Sequence, residues 1–128
     1  MKKVLLIEDD LDLYQLLKYN LERSGFQFTG ANTGKGAVEL CLNERPDLIL
    51  LDILLPKLGG EQVLQALRQD PATARIPVIV FSSLSRSNSE RLKQAGATAY
   101  IEKSQLDPAK NGEALVRLVN AALRPRKT

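Results

Sequence analysis

The chain has 128 residues, 44% of them hydrophobic, the size of one domain with a proper core. It holds no histidine and one cysteine, Cys41. That excludes a Ser-His-Asp triad, a His-ligated or Cys-clustered metal, a phosphohistidine carried by this chain and an internal disulfide framework. The net charge is +3, an excess matched by Arg124, Arg126 and Lys127 near the end, so the folded part is near neutral and gives little support to nucleic-acid binding.

The longest apolar runs are Val4 to Ile7, Leu48 to Leu51 and Val78 to Phe81, far short of the roughly 20 residues that cross a bilayer. Met1-Lys2-Lys3 is followed by only four apolar residues before acids begin, which is not a signal-peptide pattern. The expected location is the cytoplasm, with no membrane contact.

Residues 3 to 8 read as a first strand. Residues 10 to 24 place Leu13, Leu16, Leu17 and Leu21 on one helical face and stop at Gly25. The same unit recurs: a strand from Phe26 to Ala31 and a helix from about Thr33 to Glu44, then a strand from Asp47 to Leu51 and a helix from about Gly60 to Gln69. Pro77 opens a fourth strand through Phe81, as a proline at a first strand position allows. A shorter, polar helix spans about Asn88 to Ala95, and Ala99 to Glu102 make the fifth strand. Asp107-Pro108 supply an N-cap and first-turn proline for a last helix with Leu115, Leu118, Val119 and Ala122 on one face.

Five strand and helix pairs in alternation imply a doubly wound α/β domain: a five-stranded parallel sheet with five helices, flavodoxin-like, in strand order 2-1-3-4-5. Residues 1–123 form this domain, and 124–128 read as a basic tail or linker stump. In such a sheet the functional residues gather beyond the carboxyl ends of the strands.

Those ends supply Glu8, Asp9 and Asp10 after the first strand, Asp52 after the third, Ser82 and Ser83 after the fourth, and Lys103 after the fifth. Clustered acids are electrostatically expensive: two carboxylates about 4 Å apart repel by about 4 kcal/mol at an effective dielectric of about 20. A small hard cation such as Mg²⁺ would relieve the repulsion among Glu8, Asp9 and Asp52, and Lys103 adds a further positive charge. Cation and lysine together would also let a phosphoryl group settle on an acidic surface. The plainer alternative for Asp9, Asp10 or Asp12 is that each caps the following helix. Tyr100, on the fifth strand, reads by itself as packing.

The stretches "VLLIEDD", "PDLILLDILLPKLGG", "IPVIVFSS" and "GATAYIEK", with their spacings over residues 3 to 123, give a chain that resembles a response regulator receiver domain, the phosphoacceptor module of two-component signalling. The resemblance implies that Asp52 accepts a phosphoryl group from a sensor histidine kinase or a histidine phosphotransfer protein. It implies that Asp9 ligates Mg²⁺ directly and Glu8 through water, with Asp52 and the backbone carbonyl of Leu54 completing the protein ligands; Mn²⁺ would substitute. Lys103 would pair with the phosphoryl oxygens, Ser82 would donate its hydroxyl, and Tyr100 would rotate inward as Ser82 moves. The readout surface for a downstream protein would be the fourth helix, fifth strand and fifth helix, about Asn88 to Leu123. Such a domain catalyses only its own phosphorylation and slow dephosphorylation, and does not itself bind nucleic acid.

The chain departs from the family where proline usually follows the lysine in a cis peptide. Ser104 stands there, and a cis bond before a non-proline residue costs about 2.5–4 kcal/mol. Leu54 and Leu84 lie two residues past Asp52 and Ser82, at positions that influence hydrolysis in the family. Being apolar, neither orients an attacking water, so a long-lived phosphorylated state is expected.

Other functions fit less well. A nucleotide- or flavin-binding domain needs a phosphate loop after the first strand, where "IEDDLD" would repel the phosphate. A metal-dependent phosphohydrolase needs a substrate cap, for which there is no spare length. A phosphorylation-independent interaction module on the same fold would be expected to lack one of the acids, the hydroxyl or the lysine, yet all are present. A stand-alone regulator, a relay intermediate and a receiver cut from a longer protein all remain compatible with the sequence.

Overall fold

The computed structural model describes residues 2–34, 36–53, 59–82, 89–103 and 113–124. The elements run β1 (Lys3–Ile7), α1 (Leu11–Arg23), β2 (Gln27–Ala31), α2 (Ala37–Glu44), β3 (Leu48–Asp52), α3 (Gly60–Gln69), β4 (Val78–Ser82), α4 (Ser89–Gln94), β5 (Ala99–Glu102) and α5 (Glu113–Leu123). All strand pairs are parallel, in the order β2-β1-β3-β4-β5. This is the doubly wound fold expected from the alternation.

The strands form where apolar residues run without a polar break, because each central strand buries both faces. Val4 to Ile7, Leu48 to Leu51 and Val78 to Phe81 are all inaccessible to solvent. The pleat divides them between two cores. Leu5, Ile7, Ile49, Leu51, Val78 and Val80 meet Cys41, Val63, Leu64 and Leu92 from α2, α3 and α4. On the other face Val4, Leu6, Leu48, Leu50, Ile79 and Phe81 meet Leu17, Leu21, Leu115 and Val119 from α1 and α5. Cys41 sits in the first of these, its thiol pushed up to about 12 by burial, so thiolate chemistry is closed to it. Among the described residues no helix is long and apolar enough to cross a membrane.

Element ends differ from expectation by one or two residues in most cases. The larger difference is α2, which begins at Ala37 rather than near Thr33, because Gly36 is left-handed (φ 78°) and cannot belong to the helix. Gly25 ends α1 in the expected way, at φ 93°. The start expected for the last helix at Asp107-Pro108 lies outside the described residues.

One glycine fixes the approach of a helix to the sheet. A Cβ on Gly60 would collide with the Asp52 carbonyl oxygen and the Ile53 backbone, and the Gly60 amide donates to the Ile53 carbonyl at 3.1 Å. The start of α3 therefore lies directly against the end of β3, and Asp52 is held where these two meet.

Candidate functional site

Four strand ends bring the site together. Register pairs Ile7 with Leu51 and Asp52 with Phe81, so Glu8, Asp52 and Ser82 come out on the same edge of the sheet. Ser82 in turn pairs with Glu102, which places Lys103 one residue further along β5's exit. The Glu8 amide donates to Ala31 at 3.1 Å, extending the β1–β2 ladder by one residue and holding Glu8 rigid.

Glu8, Asp52 and Ser82 are fully buried, while Asp9 is exposed. Each of Glu8, Asp9 and Asp52 brings one carboxylate oxygen within 4.8 Å of the others. The Lys103 ammonium lies between two of them, 3.0 Å from Glu8 Oε1 and 3.1 Å from Asp52 Oδ2. It also lies 5.8 Å from the centre of the Phe81 ring, within range of a cation–π contact.

The electrostatics follow from that packing. Burial first, and then the neighbouring Asp52, push the Glu8 carboxyl up to about 8, against the opposing pull of Lys103. With both carboxylates ionised, Glu8 Oε2 is buried and has no hydrogen-bond partner among the described residues; a proton there would give it a donor toward Asp52. Burial works against the Lys103 charge, but its bonds to Glu8 and Asp52 outweigh that and hold its pKa above the usual lysine value.

This donor set fits a hard divalent cation. It is all oxygen, includes one exposed and two buried carboxylates, and leaves Glu8 Oε2 unsatisfied inside the cluster; Mg²⁺ and Mn²⁺ prefer such oxygen ligands.

The helix-cap alternative applies to one acid. Asp10 is the N-cap of α1, its Oδ1 accepting from the Asp12 amide at 3.0 Å and the Leu13 amide at 3.2 Å. Asp12 is a first-turn acid on the exposed side, whereas Asp9 joins the cluster. Tyr100 is half-buried on β5, opposite Val80, packed against the core that includes α4's Leu92. The Leu54 carbonyl, Ser83, Leu84 and the Lys103-Ser104 peptide lie outside the described residues.

The sequence reading did not anticipate the direct Lys103–Glu8 pair, since it assigned Glu8 a role through water and Lys103 a role toward a phosphoryl group. The available signal was the strand order itself, which puts a lone basic residue across the edge from an acid.

Sheet order and edge cluster together define a doubly wound α/β domain with an acidic site at the carboxyl edge of its sheet. The family model for the response regulator receiver domain matches residues 4–116, and the chain belongs to that family. The chain is 37% identical over 103 residues to the alkaline phosphatase synthesis transcriptional regulatory protein PhoP of Bacillus subtilis (strain 168). That match covers 80% of this chain and 42% of PhoP, so the chain spans less than half the length of that relative. Among solved structures, the BeF3-activated N-terminal receiver domain of Klebsiella pneumoniae RstA is similar with a TM-score of 0.84 at 30% identity, over 96% of this chain and 99% of that one. The Mn(2+)-bound form of response regulator Rcp1 is similar with a TM-score of 0.83 at 25% identity, over 99% and 98% of the two chains.

Proposed function

We propose that this receiver domain accepts a phosphoryl group on Asp52 from a sensor histidine kinase or a histidine phosphotransfer protein, and signals through the state that results. The observation that carries the reading is the Lys103 ammonium set between Glu8 and Asp52 inside a three-carboxylate cluster.

The Asp52 carboxylate oxygen attacks the phosphorus of a phosphohistidine on the partner. A P–O bond forms as the P–N bond breaks, and the imidazole leaves with the electron pair. Glu8, Asp9 and Asp52, with the Leu54 carbonyl that the family resemblance implies, would hold the Mg²⁺. When bound, the cation neutralises the carboxylates and the charge on the transferring group. Lys103 commits two N–H donors to Glu8 and Asp52, and its third serves a phosphoryl oxygen. Ser82, at the end of the neighbouring strand, donates its hydroxyl to the same group. These contacts exist only in the phosphorylated state and so shift the population toward it, with Tyr100 and the surface of α4, β5 and α5 carrying the change to a downstream protein.

Intact mass after incubation with acetyl phosphate tests this. The wild-type chain is expected to gain one phosphoryl group only with Mg²⁺, and Asp52→Asn to gain none. Absence of any adduct, with beryllofluoride also failing to bind, would give the phosphorylation-independent interaction module instead.

A further inference from the structure

At the opposite end of the sheet lies a cleft of about 800 Å³ whose charge is the reverse of the acid edge. Lys2, Arg68, Arg75, Lys93 and Arg124 line it, with Asp47 as the single carboxylate among the described residues. Asp47 Oδ2 is engaged by the Lys3 backbone amide at 2.7 Å. Pro77, Ala97 and Leu123 supply an apolar part of the lining.

Helix ends explain some of these cations. Arg68 and Lys93 occupy the last turns of α3 and α4, and Arg124 follows α5; cations are favoured there by the helix dipole. That accounts for neither Lys2 nor Arg75, which stand at no helix end. The charge balance also exceeds what the helices need. Three helix C-termini bring about half a negative charge each, and with Asp47 they leave five cations in surplus by between two and three charges.

Arg68 supplies a second observation. Its Nε donates to the Gly96 carbonyl at 2.9 Å and its Nη1 to the Ile76 and Ala74 carbonyls at 2.7 and 3.1 Å. The guanidinium is thereby fixed in a half-buried position, with Nη2 making no hydrogen bond among the described residues. A preoriented cation with a donor to spare, at an electropositive concavity with an apolar part, suits an anion that also carries a flat apolar group. The volume lies in the range of small-molecule sites, roughly 300–1,000 Å³, and the concavity favours a compact ligand over the extended backbone of a nucleic acid.

We infer that this cleft binds a nucleotide bearing two or more phosphates, its phosphates on the cationic rim and its base against Pro77, Ala97 and Leu123. The nucleotide-binding reading that the acids after β1 exclude at one end of the sheet is thus supported at the other.

The test is titration of the ¹⁵N-labelled full chain with GTP in EDTA, followed by amide shifts, with pyrophosphate and guanosine as comparators. GTP is expected to give saturable shifts at Ala74, Gly96, Thr98 and Leu123, binding at least tenfold more tightly than either comparator. Arg75→Glu and Lys93→Glu, both at exposed positions, should each weaken it several-fold and together at least tenfold, with the Glu8 and Asp52 amides unmoved as evidence of an intact fold. Should the pair disturb those amides, Lys2→Glu is read instead, with the same several-fold loss expected. Shifts that spare the cleft, binding indifferent to charge reversal, or no saturation at roughly millimolar GTP would overturn the proposal. So would a DNA duplex that displaces GTP and reproduces its shifts, which would make the cleft a nucleic-acid contact.

Discussion

Lys103 and Glu8 stand 95 positions apart in the chain, yet Nζ and Oε1 are 3.0 Å from each other. Glu8 is fully buried and its other oxygen has no partner among the described residues, so this lysine and the proton it competes with decide the charge state at the heart of the site. Removing the lysine strands a buried carboxylate. Lys103→Met is expected to destabilise the metal-free protein by about 1–3 kcal/mol at pH 8.5, less than a fully buried pair because the lysine is partly exposed. At pH 5.5, where Glu8 carries a proton, the loss should shrink to what the contact with Asp52 contributes. Urea unfolding at the two pH values decides it; equal losses would mean that Lys103 acts through Asp52 and packing rather than through the Glu8 charge.

The raised Glu8 pKa sets a pH dependence with a definite sign. Between its ordinary value of 4.5 and about 8 the folded protein holds a proton there that the unfolded chain releases. This contribution to stability is complete below 4.5 and is lost as the pH climbs through 8, with a slope of at most about 1.4 kcal/mol per pH unit for one proton. Thermal unfolding of metal-free protein across pH 5 to 9 should show the decline, and Glu8→Gln should flatten it. Mg²⁺ added at pH 7 should release a proton, measurable as a binding enthalpy that varies with the buffer.

Two neighbouring aspartates should separate cleanly. Asp10→Ala removes the α1 cap and is expected to cost about 1 kcal/mol while leaving Mg²⁺ affinity nearly unchanged. Asp9→Ala should leave stability within about 0.5 kcal/mol and weaken Mg²⁺ at least tenfold. Chemical denaturation paired with Mg²⁺ titration reads both; a reversed pattern would exchange the two roles.

Gly60 and Gly59 make a second contrasting pair. Gly60→Ala forces a methyl against the Asp52 carbonyl and the Ile53 backbone and should cost about 1–3 kcal/mol, with a slower gain of the phosphoryl group from acetyl phosphate. Around Gly59 a Cβ meets nothing within 4 Å and φ is −64°, so Gly59→Ala should be silent in both assays.

The central strands were legible because β1, β3 and β4 bury both faces and write that burial as unbroken apolar runs. Their order gathers Glu8, Asp9, Asp52 and Lys103 on one edge, as the alternation of elements implies. What stayed hidden depends on contacts between distant segments. "EDDLD" allows any of three acids to cap α1, and only the turn geometry selects Asp10. Arg68 looks like an ordinary last-turn cation, yet it clasps the carbonyls of Ala74, Ile76 and Gly96. Thr73, in a polar loop, is buried and donates to the Leu67 carbonyl at 2.6 Å. The late start of α2 turns on a single left-handed glycine.

The position of β5 has a mechanical consequence. Asp52 belongs to a strand laced to neighbours on both sides, whereas β5 is one of the two outer strands, tied to β4 alone. Tyr100 and Lys103 lie on or just past that outer strand, three residues apart. The molecule is therefore stiff where the acid sits and compliant where the lysine reaches it. A tug on Lys103 can be relieved by motion at the sheet's margin, and the densely packed middle need not deform for an event at Asp52 to be felt outside.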